Sequence, residues 1–190
     1  MLVTASCAVC GIDAYPQFVR HIRLHEHTPL TNNMGLEMLL THDWRGRMAF
    51  TMDDRLDDSV QVWKDGYAAR AHALRPVLIA SALGVFAWLG WALRRTKLLW
   101  VGMALSLPLL MSVLTITCYY YALFVAPAAL TLSSPALAPA YLALAGASQV
   151  LLKAFYWIDD KYAAQSLLFY AFSLSMLYAQ SRPFRLRRSR

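Results

Sequence analysis

Cys7 and Cys10 stand two residues apart, and His21, His25 and His27 follow them. Two thiolates and two imidazoles make the ligand set of a tetrahedral zinc site. The predicted set is Cys7, Cys10, His21 and His25, with His27 as substitute for His25. The Cys-x-x-Cys pair could instead carry thiol chemistry. The competing reading is two reduced thiols beside a helix with a histidine-bearing polar face. A second concentration of chemistry is Asp53-Asp54-Arg55-Leu56-Asp57-Asp58, since hard cations take carboxylate oxygens. Gln149 and Lys153 stand four residues apart inside an apolar stretch, where polar side chains serve function or interhelical contact.

Three local resemblances follow. The Cys/His set resembles a C2H2 zinc finger over about twenty residues, and Phe18 falls three residues before His21 where such a finger keeps its core residue. Ten residues separate Cys10 from His21, where about twelve are usual. The aspartate run resembles the magnesium motif of prenyl-diphosphate enzymes, but the only other acidic pair is Asp159-Asp160, with Lys161 beside it. A solvated turn that caps the next helix accounts for the run. Asp65-Gly66-Tyr67-Ala68-Ala69-Arg70 resembles the opening of the CDP-alcohol phosphotransferase signature, yet the positions for that family's metal-binding aspartates fall on Ile79, Leu83 and Ala87. No metal can be held there, and no catalytic or cofactor-binding residue is assigned.

The elements that must position these residues are helices. Residues 1–75 form a polar, helical, membrane-peripheral segment. In it Tyr15, Phe18, Val19 and Ile22 recur at i, i+3, i+4, i+7, one face of an amphipathic helix. Turn chemistry fills Thr28 to Gly35, a short helix covers Leu36 to Leu40, and a third begins at Asp58 or Ser59. From Pro76 the chain is almost continuously apolar. About 18 or more apolar residues suffice to cross a bilayer as a helix. Four spans are expected, about 76–93, 98–125, 139–158 and 163–180, as a transmembrane bundle over 76–181. Pro76 would open the first, and Pro108 would kink the second. Trp88, Trp91, Trp100, Tyr119 to Tyr121 and Trp157 would mark interfaces. Ala80 with Gly84, Ala143 with Ala147, and the stripe Ser166, Tyr170 and Ser173 read as helix-packing features.

Composition agrees: 58% of residues are hydrophobic and 15% charged, with a mean hydropathy of +0.41. Residues 1–75 carry eight Lys or Arg against nine Asp or Glu, whereas 76–190 carry ten basic residues against Asp159 and Asp160 alone. The net charge of +7 therefore sits at span ends, where anionic headgroups are the natural partner. A nucleic-acid partner is excluded on this ground, because the polar segment has no basic face. The tail 182–190 offers Arg182, Arg185, Arg187, Arg188 and Arg190 as lipid anchors. Four spans with both termini cytoplasmic put eight basic residues inside (Lys64, Arg70, Arg75 and the tail) against five outside. Met1 to Gly11 lacks the basic and apolar regions of a secretory signal. Arg outnumbers Lys fourteen to four, as in GC-rich bacterial coding.

Phe18, His21 and His25, followed by Thr28-Pro29-Leu30-Thr31-Asn32-Asn33-Met34-Gly35-Leu36, resemble a segment near the C-terminal end of large bacterial polytopic membrane proteins. Some of those look like glycosyltransferases that use lipid-linked donors. The tyrosine run and Asp159-Asp160 fit the same likeness. The resemblance implies that the chain is the C-terminal part of a larger ancestor. The expectation is thus an all-α protein of the bacterial inner membrane, about four transmembrane helices after a short, partly amphipathic segment. Its expected role is structural or accessory, with a membrane-protein partner. The alternatives are a remnant or subunit of a lipid-linked-donor transferase, and a zinc- or thiol-dependent module.

Overall fold

The computed structural model describes residues 9, 11–26, 28–94, 96, 98–117 and 123–181, the side chains of 22–26 and 133 excepted. These residues fall into two compact units, Met1–Leu30 and Thr31–Arg190. In the first, α1 (Ala14–Glu26) forms where the apolar periodicity places it. Tyr15, Phe18 and Val19 on its apolar face are exposed.

The second unit is mostly helical. It begins with β1 (Asn33–Met34), α2 (Leu36–Thr41) and α3 (Met48–Thr51), then the long α4 (Gln61–Leu93). Helix α4 starts at Gln61, with Val60 and not Asp58 or Ser59 at its N-cap and no side-chain cap; the Asp58 carboxylate accepts the Val60 amide at 3.1 Å in the preceding turn and pairs with Lys64. Pro76, however, lies inside α4 and does not open a new helix. The polar helix and the first span are one element. Proline removes a single ladder hydrogen bond, and the long helical runs on both sides carry the backbone through it.

The expected span over 98–125 is not one helix. It divides into α5 (Leu99–Leu105), α6 (Leu107–Val113), β2 (Ile116–Thr117), α7 (Val125–Ala128) and α8 (Leu130–Ser133). Pro108 sits in the first turn of α6, so its missing donor and ring end α5 just before it instead of kinking a continuous helix. Beyond Val113 the residues Thr115, Ile116 and Thr117 are β-branched, and Ile116 and Thr117 form the strand. After a 3-10 turn, Pro135–Leu137, come α9 (Ala138–Ala154) and α10 (Ile158–Ser181). Helix α10 begins before residue 163 and takes Asp159 and Asp160 into its first turn, where carboxylates favour the positive end of the helix dipole.

Side-chain contacts fix the helix directions. Ser148 bonds Gln165, Leu144 and Phe169 share a cluster, and Tyr141 stacks on Phe172 with centroids 4.9 Å apart. These successive rungs make α9 and α10 antiparallel. Leu89 and Ala92 near the end of α4 cluster with Met176 and Leu177 near the end of α10. At the other end Thr41 bonds Arg70 of α4, while the next loop bonds Asp159 and Asp160 of α10. Helices α4 and α10 are therefore parallel, an arrangement that four alternating spans would not give.

The segment 98–137 explains the change of parity. On the way in, Val101 and Leu105 lie against Met176 and Leu177, and deeper down Ser112 bonds Tyr170 at 2.8 Å. On the way out, Phe124 stacks on Phe169, Leu130 rejoins Met176, and Leu137 packs on the same cluster. The segment goes partway into the bundle and returns to the end it left. From the opposite end, residues 31–36 also enter partway. The two meet: β1 pairs antiparallel with β2, Asn33 opposite Thr117 and Met34 opposite Ile116. This ladder is a small departure from the all-α expectation. Non-helical backbone inside a bundle must satisfy its polar groups from protein, and Asn33, Met34, Gly35, Leu36 and Ile116 are all buried.

Candidate functional site

The chemistry-bearing side chains gather where this inserted segment is fastened to the ends of α4 and α10. Gly35 lies at its deepest described point, with φ of 130°, and an added Cβ would sit 2.9 Å from both the Met111 and Leu114 carbonyl oxygens. Only glycine fits such a backbone and such an approach. Its amide donates to Ser166 Oγ at 3.1 Å, and the Ser166 hydroxyl donates to the Tyr162 carbonyl at 2.7 Å. One turn away, Ser148 donates to Gln165 Oε1 at 3.0 Å, and the Gln165 amide donates to the Ser148 carbonyl at 2.7 Å. The serine stripe is thus packing, as its spacing suggested. Asn33 Oδ1, also buried, has no hydrogen-bond partner among the described residues.

Closer to the end, Asp160 receives a bidentate clamp. Arg47 Nε lies 3.0 Å from both carboxylate oxygens and Nη2 lies 2.8 Å from Oδ2, while His42 Nε2 is 3.1 Å from Oδ1. Planar guanidinium and carboxylate match in this fork, and the clamp raises the Arg47 guanidinium further above its usual range. Asp159 Oδ2 accepts the Met48 amide at 2.8 Å. A carboxylate from α10 thereby supplies the N-terminal cap that α3 lacks in its own sequence. Beside them Arg70 Nε donates to the Thr41 carbonyl at 2.7 Å, and its Nη1 lies 3.6 Å from Asp43. The Arg45 and Gly46 amides, with Arg70 and His42 nearby, hold the Asp43 carboxyl below the usual carboxylate range. The Tyr67 hydroxyl donates to Glu37 at 3.1 Å.

The arrangement is a latch. Both Asp160 oxygens are engaged by the Arg47 guanidinium, and one Asp159 oxygen by an amide, so this pair has little capacity left for a metal or for proton abstraction. Its positioning partners His42 and Arg47 lie more than a hundred residues away in sequence, so neither spacing nor periodicity pointed to them. Gly35 was within reach of sequence reasoning, as a glycine ending a turn-rich run.

The other sequence-predicted residues separate from this site. His21 is exposed on α1. Cys7, Cys10 and His27 lie outside the described residues, as do Arg182, Arg185, Arg187, Arg188, Arg190 and Tyr119 to Tyr121, and the His25 side chain is not among those described. Among the described residues no three His, Cys, Asp or Glu side chains gather as a metal-holding group. In the aspartate run, Asp53 turns onto Arg55 at 2.8 Å and Asp58 onto Lys64, which draws both carboxyls below their usual range. Ala80 and Gly84 sit on an open face of α4, and no atom lies within 4 Å of a Cβ added at Gly84. They do not pack another helix of the described chain.

Fold and site together define a mostly helical protein in which, among the described residues, two helices are long and apolar enough to cross a membrane, Gln61–Leu93 and Pro135–Ala154. No family model matches the chain, and neither a curated protein nor a solved structure matches it.

Proposed function

We propose that the chain is an integral membrane protein with a structural or accessory role, built to hold two half-crossing segments against each other inside a helical frame. One observation carries this reading. Only 17% and 11% of the apolar stretches of the two candidate spans is buried, whereas a core helix of a water-soluble domain hides its apolar surface. Phe86 and Leu83 on α4, and Val150 and Leu142 on α9, are all more than 60% exposed. Lipid is the solvent suited to such faces. Exposed aromatics at both ends support it: Trp91 and Trp100 at one, Trp44 and Tyr156 at the other.

In this reading α4, α9 and α10 cross the bilayer, and 98–137 enters and leaves by one side. Three crossings put the 42–58 loops and the tail after Ser181 on opposite faces, in place of the like-sided termini that four spans would give. The tail face collects Arg94, Arg95, Lys97 and the five tail arginines without an acidic residue. At the loop face Arg47, Arg55, Lys64 and Arg70 are paired with aspartates. This excess of basic over acidic residues in the sequence favours a cytoplasmic tail on anionic lipid, in a bacterial inner membrane. The engaged state of Asp159 and Asp160 favours an accessory role over a transferase. The test is extraction: the protein should stay with membranes through an alkaline carbonate wash and leave only with detergent. A dispersed monomer after detergent-free extraction would overturn the proposal.

A further inference from the structure

Beside the latch, the end of α9 and the start of α10 border a shallow pocket of about 600 Å³, lined by Lys153, Lys161, Gln149, Asn32, Thr31 and Tyr162 among others. We infer that this pocket binds a phosphate group, presented on an anionic lipid headgroup.

Four other basic residues at the same end pair with aspartates, but neither Lys153 nor Lys161 has a carboxylate partner among the described residues. The nearest acids in sequence are occupied elsewhere, Asp160 by Arg47 and His42 and Asp159 by the Met48 amide. Two lysines therefore line one pocket with no carboxylate at ion-pair distance among the described residues. Around them stand the uncharged hydrogen-bonding groups of Gln149 and Thr31, with Asn32 and Tyr162 also in the pocket wall. Helix α10, 24 residues long, begins beside the pocket and brings Lys161 to its rim. A phosphate, with several acceptor oxygens and at least one negative charge, satisfies such a donor set better than a carboxylate does.

The surroundings favour a lipid source. Leu152 and Ile158 form the pocket's apolar flank, and the neighbouring Val150 on α9 is 65% exposed. An acyl chain attached to the bound phosphate would continue down that face. The lipid source rests on the membrane reading above, while the phosphate site itself does not.

The experiment titrates the purified full chain in neutral detergent with dioctanoyl phosphatidic acid, dioctanoyl phosphatidylcholine and inorganic phosphate, read by calorimetry. Saturable binding of phosphatidic acid at least tenfold tighter than of phosphatidylcholine is expected. The double variant Lys153→Gln/Lys161→Gln should weaken it at least tenfold, and Lys153→Arg/Lys161→Arg should hold it within about threefold, since charge is kept. Arg55→Gln removes an equal charge elsewhere and should change it less than twofold. Should the double variant not fold, Lys153→Gln at its exposed position carries the test, with a loss of at least threefold. Inorganic phosphate that binds as tightly, and with the same dependence on the two lysines, would assign the site to a soluble phosphate and overturn the lipid source. Unchanged affinity in the glutamine variants, or no saturable binding of any probe, would overturn the site.

Discussion

The two ends of the helical frame are held by different physics. At the loop end, directed bonds fasten the structure: Arg47 and His42 on Asp160, the Met48 amide on Asp159, Arg70 on Thr41 and Tyr67 on Glu37. At the tail end the contacts are apolar, with Leu89, Ala92, Val101, Leu105, Leu130, Met176 and Leu177 in one cluster. Hydrogen-bonded ion pairs fix geometry and register, whereas apolar packing tolerates small displacements and gains little from a lipid solvent beyond close fit. The directed bonds sit where residues 31–36 enter the bundle, and the apolar cluster sits where 98–137 packs on the ends of α4 and α10.

The junction between the two regimes should be the most sensitive point. Gly35→Val would place a branched side chain against the Met111 and Leu114 carbonyls at a φ of 130°. We expect a loss of about 4 kcal/mol or more, and failure to assemble. Detergent-solubilised yield and the unfolding midpoint in sodium dodecyl sulfate report it. At the tail end Leu177→Ala opens a cavity at a fully buried position and should cost about 3 kcal/mol in the same titration, with the loop end still protected from hydrogen exchange. At the loop end Asp160→Asn leaves the Arg47 guanidinium short of its counter-charge. A loss of about 2 kcal/mol is expected, with faster exchange over 42–52 and little change in α5 or α8.

A pH titration gives the smallest and most selective effect. The Asp43, Asp53 and Asp58 carboxyls are all drawn below their usual range in the folded protein. A carboxyl with a depressed folded pKa contributes stability above its unfolded value, and that contribution disappears as pH falls through the folded value. Below about pH 4 exchange over 42–60 should therefore accelerate. The apolar cluster at the tail end has no titrating group among its members and should not respond. Equal acceleration at both ends would remove the distinction between them.

What could be read from the sequence follows the same division. Helices with strong local signals came through: α1 from its periodicity and α2 from the residues after Gly35. The apolar stretch 98–125 was misleading because hydropathy measures solvent preference and not path. A mostly apolar stretch of 28 residues suits one long helix and a chain that turns back on itself alike. Pro108 and the β-branched Thr115-Ile116-Thr117 held the distinguishing signal. Asp159 and Asp160 are conspicuous in an acid-poor half of the chain, but Arg47 and His42 lie on a different element, and no local pattern could join them. Lys153 was legible as a basic residue at a span end. Its place beside Lys161 in one pocket requires the antiparallel pairing of α9 and α10.

The most direct test of the account is sidedness. In a chain with Cys7, Cys10 and Cys118 replaced by serine, Asp54→Cys and Ser189→Cys would be labelled singly on intact cells by a membrane-impermeant maleimide, and again after lysis. The account predicts that Asp54→Cys is labelled in intact cells and Ser189→Cys only after lysis, because an odd number of crossings separates them. Labelling of both from the same side would contradict it and restore an even number of spans.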